Sequence, residues 1–166
     1  MNAPTRRNAG QLFLLFSMGS ERYALDVHEV VEVMPLRRLK QLPAAPAWVA
    51  GLFSFRGQPV PVLDLCARTL GRPAVVRTST RLVVVNYQAE GSLESHWLGL
   101  ILEQASDTLR SSPQAFVESG LSLPDARYLG PVLKVEHGLV QWVRVAQLLD
   151  APVRELLFSP AAQAAP

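Results

Sequence analysis

Residues 51–65 read GLFSFRGQPVPVLDL, two runs rich in Phe, Val and Leu divided by Arg56-Gly57. Apolar, β-branched and aromatic runs on either side of a Gly-containing break form a strand, a tight turn and a second strand. Successive residues of a strand point their N–H and C=O groups at opposite neighbours, so Pro59 and Pro61 are in phase and their missing donors face the same way. With Arg56 and Gly57 as the two turn residues, Phe55 faces Gln58 as a hydrogen-bonded pair and both prolines turn away from the partner strand. Moving the turn one residue later puts Pro59 where the ladder needs a donor. Arg56 therefore belongs at the hairpin tip, in water. A two-residue primed turn requires φ > 0 at Arg56; a type I turn with Gly57 in a left-handed bulge is the alternative. Phe53, Phe55, Val60 and Val62 make one face apolar, and Leu52, Pro59 and Pro61 make the reverse face apolar too. A hairpin of this kind is covered on both sides, by a barrel interior and by either a second barrel or a partner protein.

Downstream of the hairpin, Asp64 caps a short helix LCARTL, with Gly71 just past its end and Pro73 beyond. Upstream, Leu12 to Ser17 and Arg22 to Leu25 are strands joined at Gly19-Ser20. Asp26 with Glu29 three residues on opens a turn or two of helix as a capping box. The β-branched run Val27, Val30, Val31, Val33 returns the chain to extended form by about Val31, continuing to Leu39. LPAAPAWV is a loop with a short turn of helix near Trp48. Arg81 to Tyr87 is a strand, and so is His96 to Gln104. Ser106 to Arg127, broken by Ser-Ser-Pro and Leu-Pro-Asp, reads as an irregular crossing loop. YLGPVLKV and LVQWVRV form a second hairpin about Glu136-His137-Gly138, followed by a short helix VAQLLD that RELLF extends past Pro152. A hairpin feeding a short helix thus occurs twice, which points to duplication. Short strands at close spacing with few helices indicate a mainly β fold, small barrels or a sandwich, and two small barrels sharing a core are the favoured form. Residues 11–157 form a single domain, with 1–10 and 158–166 as disordered ends.

A chain of 166 residues with 49% apolar composition buries a real core. Its net charge is +2, and the fourteen Arg and two Lys are scattered rather than gathered into the patch a nucleic-acid reader needs. The lone Cys66 precludes an internal disulfide and fits a reducing compartment. No apolar run approaches the roughly 20 residues of a membrane span, so a cytoplasmic location without membrane insertion is expected.

The phosphate-binding loop GxxxxGK[ST], the dinucleotide motif GxGxxG, and HExxH, GxSxG and CxxC are all missing. The three histidines, His28, His96 and His137, are spread over three elements with no paired acid at helical spacing. No metal or cofactor is expected. An enzyme using a cleft between the barrels, with His96 or His137 as base, is the rival of another class.

The segments RYALDVHEVVEV (22–33), PAWVAG (46–51), FRGQPVPVLDL (55–65) and YLGPVLKVEHGLVQWVRVAQLL (128–149) resemble the CheW-like coupling proteins of bacterial chemosensory signalling. The family usually places Asn where this chain has Ser54. The resemblance implies two intertwined five-stranded barrels of SH3-like form with short helices. It also implies a non-enzymatic adaptor between the cytoplasmic tip of a chemoreceptor and the regulatory domain of a CheA-type histidine kinase. Carried over by position, the receptor groove involves Val30, Glu32, Ser54 and Arg56, with Gly57 as structural turn residue and Asp64 as cap. The alternative within the same fold is an auxiliary coupling protein of a non-flagellar pathway such as surface sensing, pili or cyclic-dinucleotide output.

Overall fold

The computed structural model describes residues 10–159. It contains strands β1 (Gln11–Met18), β2 (Glu21–Asp26), β3 (Val30–Pro35), β4 (Val49–Phe55), β5 (Gln58–Asp64), β6 (Arg81–Tyr87), β7 (His96–Ser111), β8 (Leu129–Val135) and β9 (Gly138–Val143), with helices α1 (Leu65–Leu70) and α2 (Ala151–Phe158). Of the disordered ends expected from the sequence at 1–10 and 158–166, residues 1–9 and 160–166 lie outside the described residues. Phe158, by contrast, completes α2, and Ser159 is its cap.

All nine strands belong to one hydrogen-bonded network, in which the order β3-β6-β7-β1-β2-β9-β8 is joined by β5 pairing with β4 and β7. It resolves into two five-stranded halves that share β7. One is β3-β6-β7-β5-β4, the other β7-β1-β2-β9-β8. Each half curls round until one isolated bridge joins its ends, Lys40 to Leu52 in the first and Val117 to Val132 in the second. The fold is thus mainly β, two small barrel-like units, curled without full strand-to-strand closure. The duplicated pattern is visible in the pairing. In each half a hairpin places its second strand parallel to a third, β5 beside β7 and β9 beside β2, before a helical turn.

Strand alternation explains why the halves cannot separate. On β6, Leu82 and Val84 point into the first half while Val83, Val85 and Tyr87 join the largest core. On β1, Phe13 and Leu15 point into the second half while Leu14, Phe16 and Met18 join that same largest core. Two strands buried on both faces read as near-continuous apolar runs, as LFLLF and LVVV do. The central core therefore lies between the halves, and each half keeps a smaller interior of its own.

The irregular loop expected from Ser106 is a strand as far as Ser111. β7 runs 16 residues, pairing with β6 and β5 over its first part and with β1 from Glu103 onward. Gln104, at φ +50°, makes the bend between the two parts, where the register with β1 slips between Leu15 and Ser17. Ser17 Oγ donates to Gln104 Oε1 at 3.0 Å and braces that bend. Four smaller expectations are also revised. Asp26 accepts from the His28 N–H at 2.9 Å, but it opens only the three-residue 3-10 turn Val27–Glu29. The extended run after it stops as a strand at Pro35. The chain before Trp48 makes turns, with Val49 N–H donating to Pro46 O, and no helix. The helix after β9 is a single 3-10 turn, Val145–Gln147, and α2 starts afresh behind the Asp150 cap.

Candidate functional site

The β4–β5 turn is the two-residue primed form. Phe55 pairs with Gln58, and Arg56 and Gly57 sit at φ +49° and +79°. Arg56 accepts a conformation an L-residue normally avoids because the alternative turn would shift the ladder and leave Pro59 facing its partner strand. Phe53, Phe55, Val60 and Val62 all enter the core of the first half, whereas Ser54, Arg56, Gly57 and Pro59 are exposed. The hairpin is thus fixed from inside and presents its tip to solvent.

The tip arginine does not hang free. Its guanidinium lies 4.8 Å from the centroid of the Phe55 ring and 5.7 Å from that of Trp97, and those rings meet edge to face at 5.0 Å. A stacked guanidinium is held in plane at a gain of about 0.5–1 kcal/mol for exposed cation–π contacts, which leaves its donor fork pre-oriented for a carboxylate or a helix carbonyl. From the sequence Trp97 reads, with Trp48 and Trp142, as a core or lid residue, and its contact with Arg56 is not legible there because it sits on β7, far along the chain. The only signal was its place at the start of a strand parallel to β5.

Val30 is half-buried against the central core and registers with Val85, while Glu32 is exposed and registers with Val84. The register slips between them, and the intervening Val31 packs into the same interior as Phe53, Phe55 and Trp97. The structure therefore brings Ser54 and Arg56 together on one hairpin, and Val30 and Glu32 together on β3. The two pairs share a core through Val31, and no hydrogen bond or ion pair joins them among the described residues. Just ahead of Val30, Glu29 has a buried Oε2 with no hydrogen-bond partner. Burial, and then the Asp26 carboxylate, push its acid up to about 7.

Gly57 takes the left-handed turn position and Asp64 stands at the start of α1. The buried Asp64 accepts from Ala67 N–H at 3.1 Å as helix cap and from Ala74 N–H at 2.9 Å, so one carboxylate holds both α1 and the loop beyond it. Gly71 ends α1 in the left-handed conformation. Beside this, Glu103 receives hydrogen bonds from the Val75 N–H, the Cys66 thiol and Arg72. Burial alone would raise Glu103, but those three donors outweigh it and hold the acid below its usual range. Burial and the Glu103 bond push the Cys66 thiol up to about 12, which makes it an inert buried group. His96 stacks on Phe158 at 4.2 Å with Glu94 3.7 Å away, and His137 lies in the exposed β8–β9 turn of the other half. Among the described residues no group of three or more His, Cys, Asp or Glu is placed to hold a metal.

A profile of the CheW-like domain matches residues 12–153. The chemotaxis protein CheW of Rhizobium meliloti is 29% identical over 153 residues, which is 89% of this chain and 93% of that protein. Protein PilI of Pseudomonas aeruginosa is 33% identical over a shorter stretch of 72 residues, 43% of this chain and 40% of its own. The crystal structure of the scaffolding protein TtCheW from Thermoanaerobacter tengcongensis shares the fold, with a TM-score of 0.77 over 95% of this chain and 99% of that one at 19% identity.

Proposed function

The chain belongs to the CheW-like domain family, and on that premise we propose that it is a chemosensory adaptor that couples a receptor to a CheA-type histidine kinase and transforms no molecule itself. One surface engages the cytoplasmic tip of a chemoreceptor through Arg56 and Ser54 on the β4–β5 hairpin and Val30 and Glu32 on β3. Another engages the kinase regulatory domain. The observation that carries this is the hairpin tip itself, an exposed guanidinium pre-oriented by Phe55 and Trp97 on a turn locked into the core. A fork of donors on a rigid support suits the ends and carboxylates of a receptor helix, and the half-buried Val30 offers an apolar contact beside the exposed Glu32. No helix among the described residues is long and apolar enough to cross a membrane, and we place the protein in the cytoplasm beside the receptor tips.

Reconstitution tests the proposal. With receptor signalling fragments and kinase held constant, addition of the chain is expected to bring the two into one sedimenting complex and to make kinase autophosphorylation depend on the receptor. Absence of both effects would contradict it. The stretch shared with protein PilI is compatible with a second reading, an auxiliary coupling protein of a non-flagellar pathway such as surface sensing, pili or cyclic-dinucleotide output. Partners co-purified from the native cell decide between them, since receptor and kinase of one pathway or the other would be recovered.

A further inference from the structure

Away from the hairpin tip, a second cationic group is held between aromatic rings, this time at the joint between the halves. Arg68 lies in the last turn of α1, and its guanidinium carbon is 4.7 Å from the Trp48 ring centroid and 5.3 Å from that of Tyr128. Trp48 precedes β4 in the first half and Tyr128 precedes β8 in the second. Tyr128 is tied across the joint by a 2.9 Å hydrogen bond between its Oη and Thr69 Oγ1. Arg68 Nε is buried with no acceptor, and neither Arg68 nor Arg127 forms an ion pair among the described residues. A partly desolvated guanidinium left without an internal ion pair suits a carboxylate brought from outside.

The surroundings say what kind. Arg68 and Arg127 line one cleft of about 580 Å³ together with Trp48, Leu149, Asp125 and Asp150. The Asp150 carboxylate is occupied as the cap of α2, accepting from Val153 N–H at 3.3 Å. With Asp125 it lines the same cleft, so a run of acidic residues would be repelled and a single carboxylate flanked by apolar side chains would be accepted. Trp48 and Leu149 supply the apolar walls. We infer that this cleft between the halves is a second binding site, which takes one glutamate or aspartate set among aliphatic residues in a segment of a partner polypeptide, with Arg68 as its anchor. The site shares no residue with the surface assigned to the receptor, and its occupant touches both halves at once.

The full chain, isotopically labelled, is titrated by nuclear magnetic resonance with a capped peptide, acetyl-Ser-Leu-Glu-Leu-Ser-Gly-amide, with its Gln counterpart and with acetate. Saturable shifts are expected at the Trp48 indole N–H and the Arg68 Nε–H with the Glu peptide, while the Trp97 and Trp142 indoles stay in place. Arg68→Gln should weaken binding about tenfold, the scale of one hydrogen-bonded charge pair. Arg127→Gln, at an exposed position, should weaken it several-fold and decides the matter if Arg68→Gln does not fold. Equal binding of the Gln peptide, unchanged affinity in the folded variants, or no shift at Trp48 and Arg68 would overturn the inference. Shifts reproduced by acetate alone would overturn its assignment to a polypeptide.

Discussion

Glu29 stands on the 3-10 turn that leads into β3, one carboxylate oxygen buried without a partner and the Asp26 carboxylate nearby. With the folded acid at about 7 against an ordinary value of 4.5, the native state holds a proton that the unfolded chain has released between those two pH values. Stability is then fully present below pH 4.5 and declines as pH rises through about 7, where it levels off. Glu29→Gln removes that decline. Thermal unfolding should show the variant gaining on the native chain at pH 8 and differing little at pH 4.5, and an equal effect at both would refute the assignment. At the same scale, the sequence placed Arg56 at a turn tip from the phase of Pro59 and Pro61 alone, because backbone donors obey a strict period of two. It could not show the stack on Trp97, since a contact between β5 and β7 depends on a parallel pairing that local pattern does not encode.

At the scale of elements, Gly51 carries more than its place in β4 suggests. It sits at φ +146°, and a Cβ built there would lie 2.4 Å from Lys40 O, the carbonyl that accepts from Leu52 in the bridge joining the ends of the first half. Gly57 at φ +79° has nothing within 4 Å of a Cβ, so an alanine there meets only backbone strain. Gly57→Ala should therefore cost about 1–2 kcal/mol, and Gly51→Ala about 2–4 kcal/mol because strain and a backbone clash add. Denaturant midpoints check the order, and equal losses would contradict the role of the bridge. The elements that were legible are those with punctuation. Asp64 and Gly71 delimit α1, and Gly19-Ser20 turns β1 into β2. The second part of β7 was not, because Ser106-Asp107 and the Ser-Ser-Pro that follows look like loop residues. The chain as far as Ser111 is strand because β1 supplies a partner, and the bend at Gln104 that lets one strand serve both halves leaves no mark in propensity.

Across the whole molecule, β1 and β6 each bury both faces and β7 passes from one half to the other, so the halves should fold as one unit. Phe13 is fully buried in the interior of the second half, against Phe116 and Trp142. Phe13→Ala should remove about 3–5 kcal/mol. Hydrogen exchange should report the same loss at the core amides of β6 in the first half as at those of β1. Loss confined to β1 would mean that the halves unfold separately. A scaffold profits from such unity, since a partner held on one half is held rigidly relative to a partner on the other. That rigidity reaches the surface at the hairpin tip. The most direct measurement is therefore calorimetric titration of a receptor cytoplasmic fragment into the native chain and into Arg56→Glu, with the unfolding of both recorded. The variant is expected to keep within about 1 kcal/mol of native stability and to bind at least about tenfold more weakly. A folded Arg56→Glu protein that binds the receptor fragment as tightly as the native chain would contradict the proposed receptor contact.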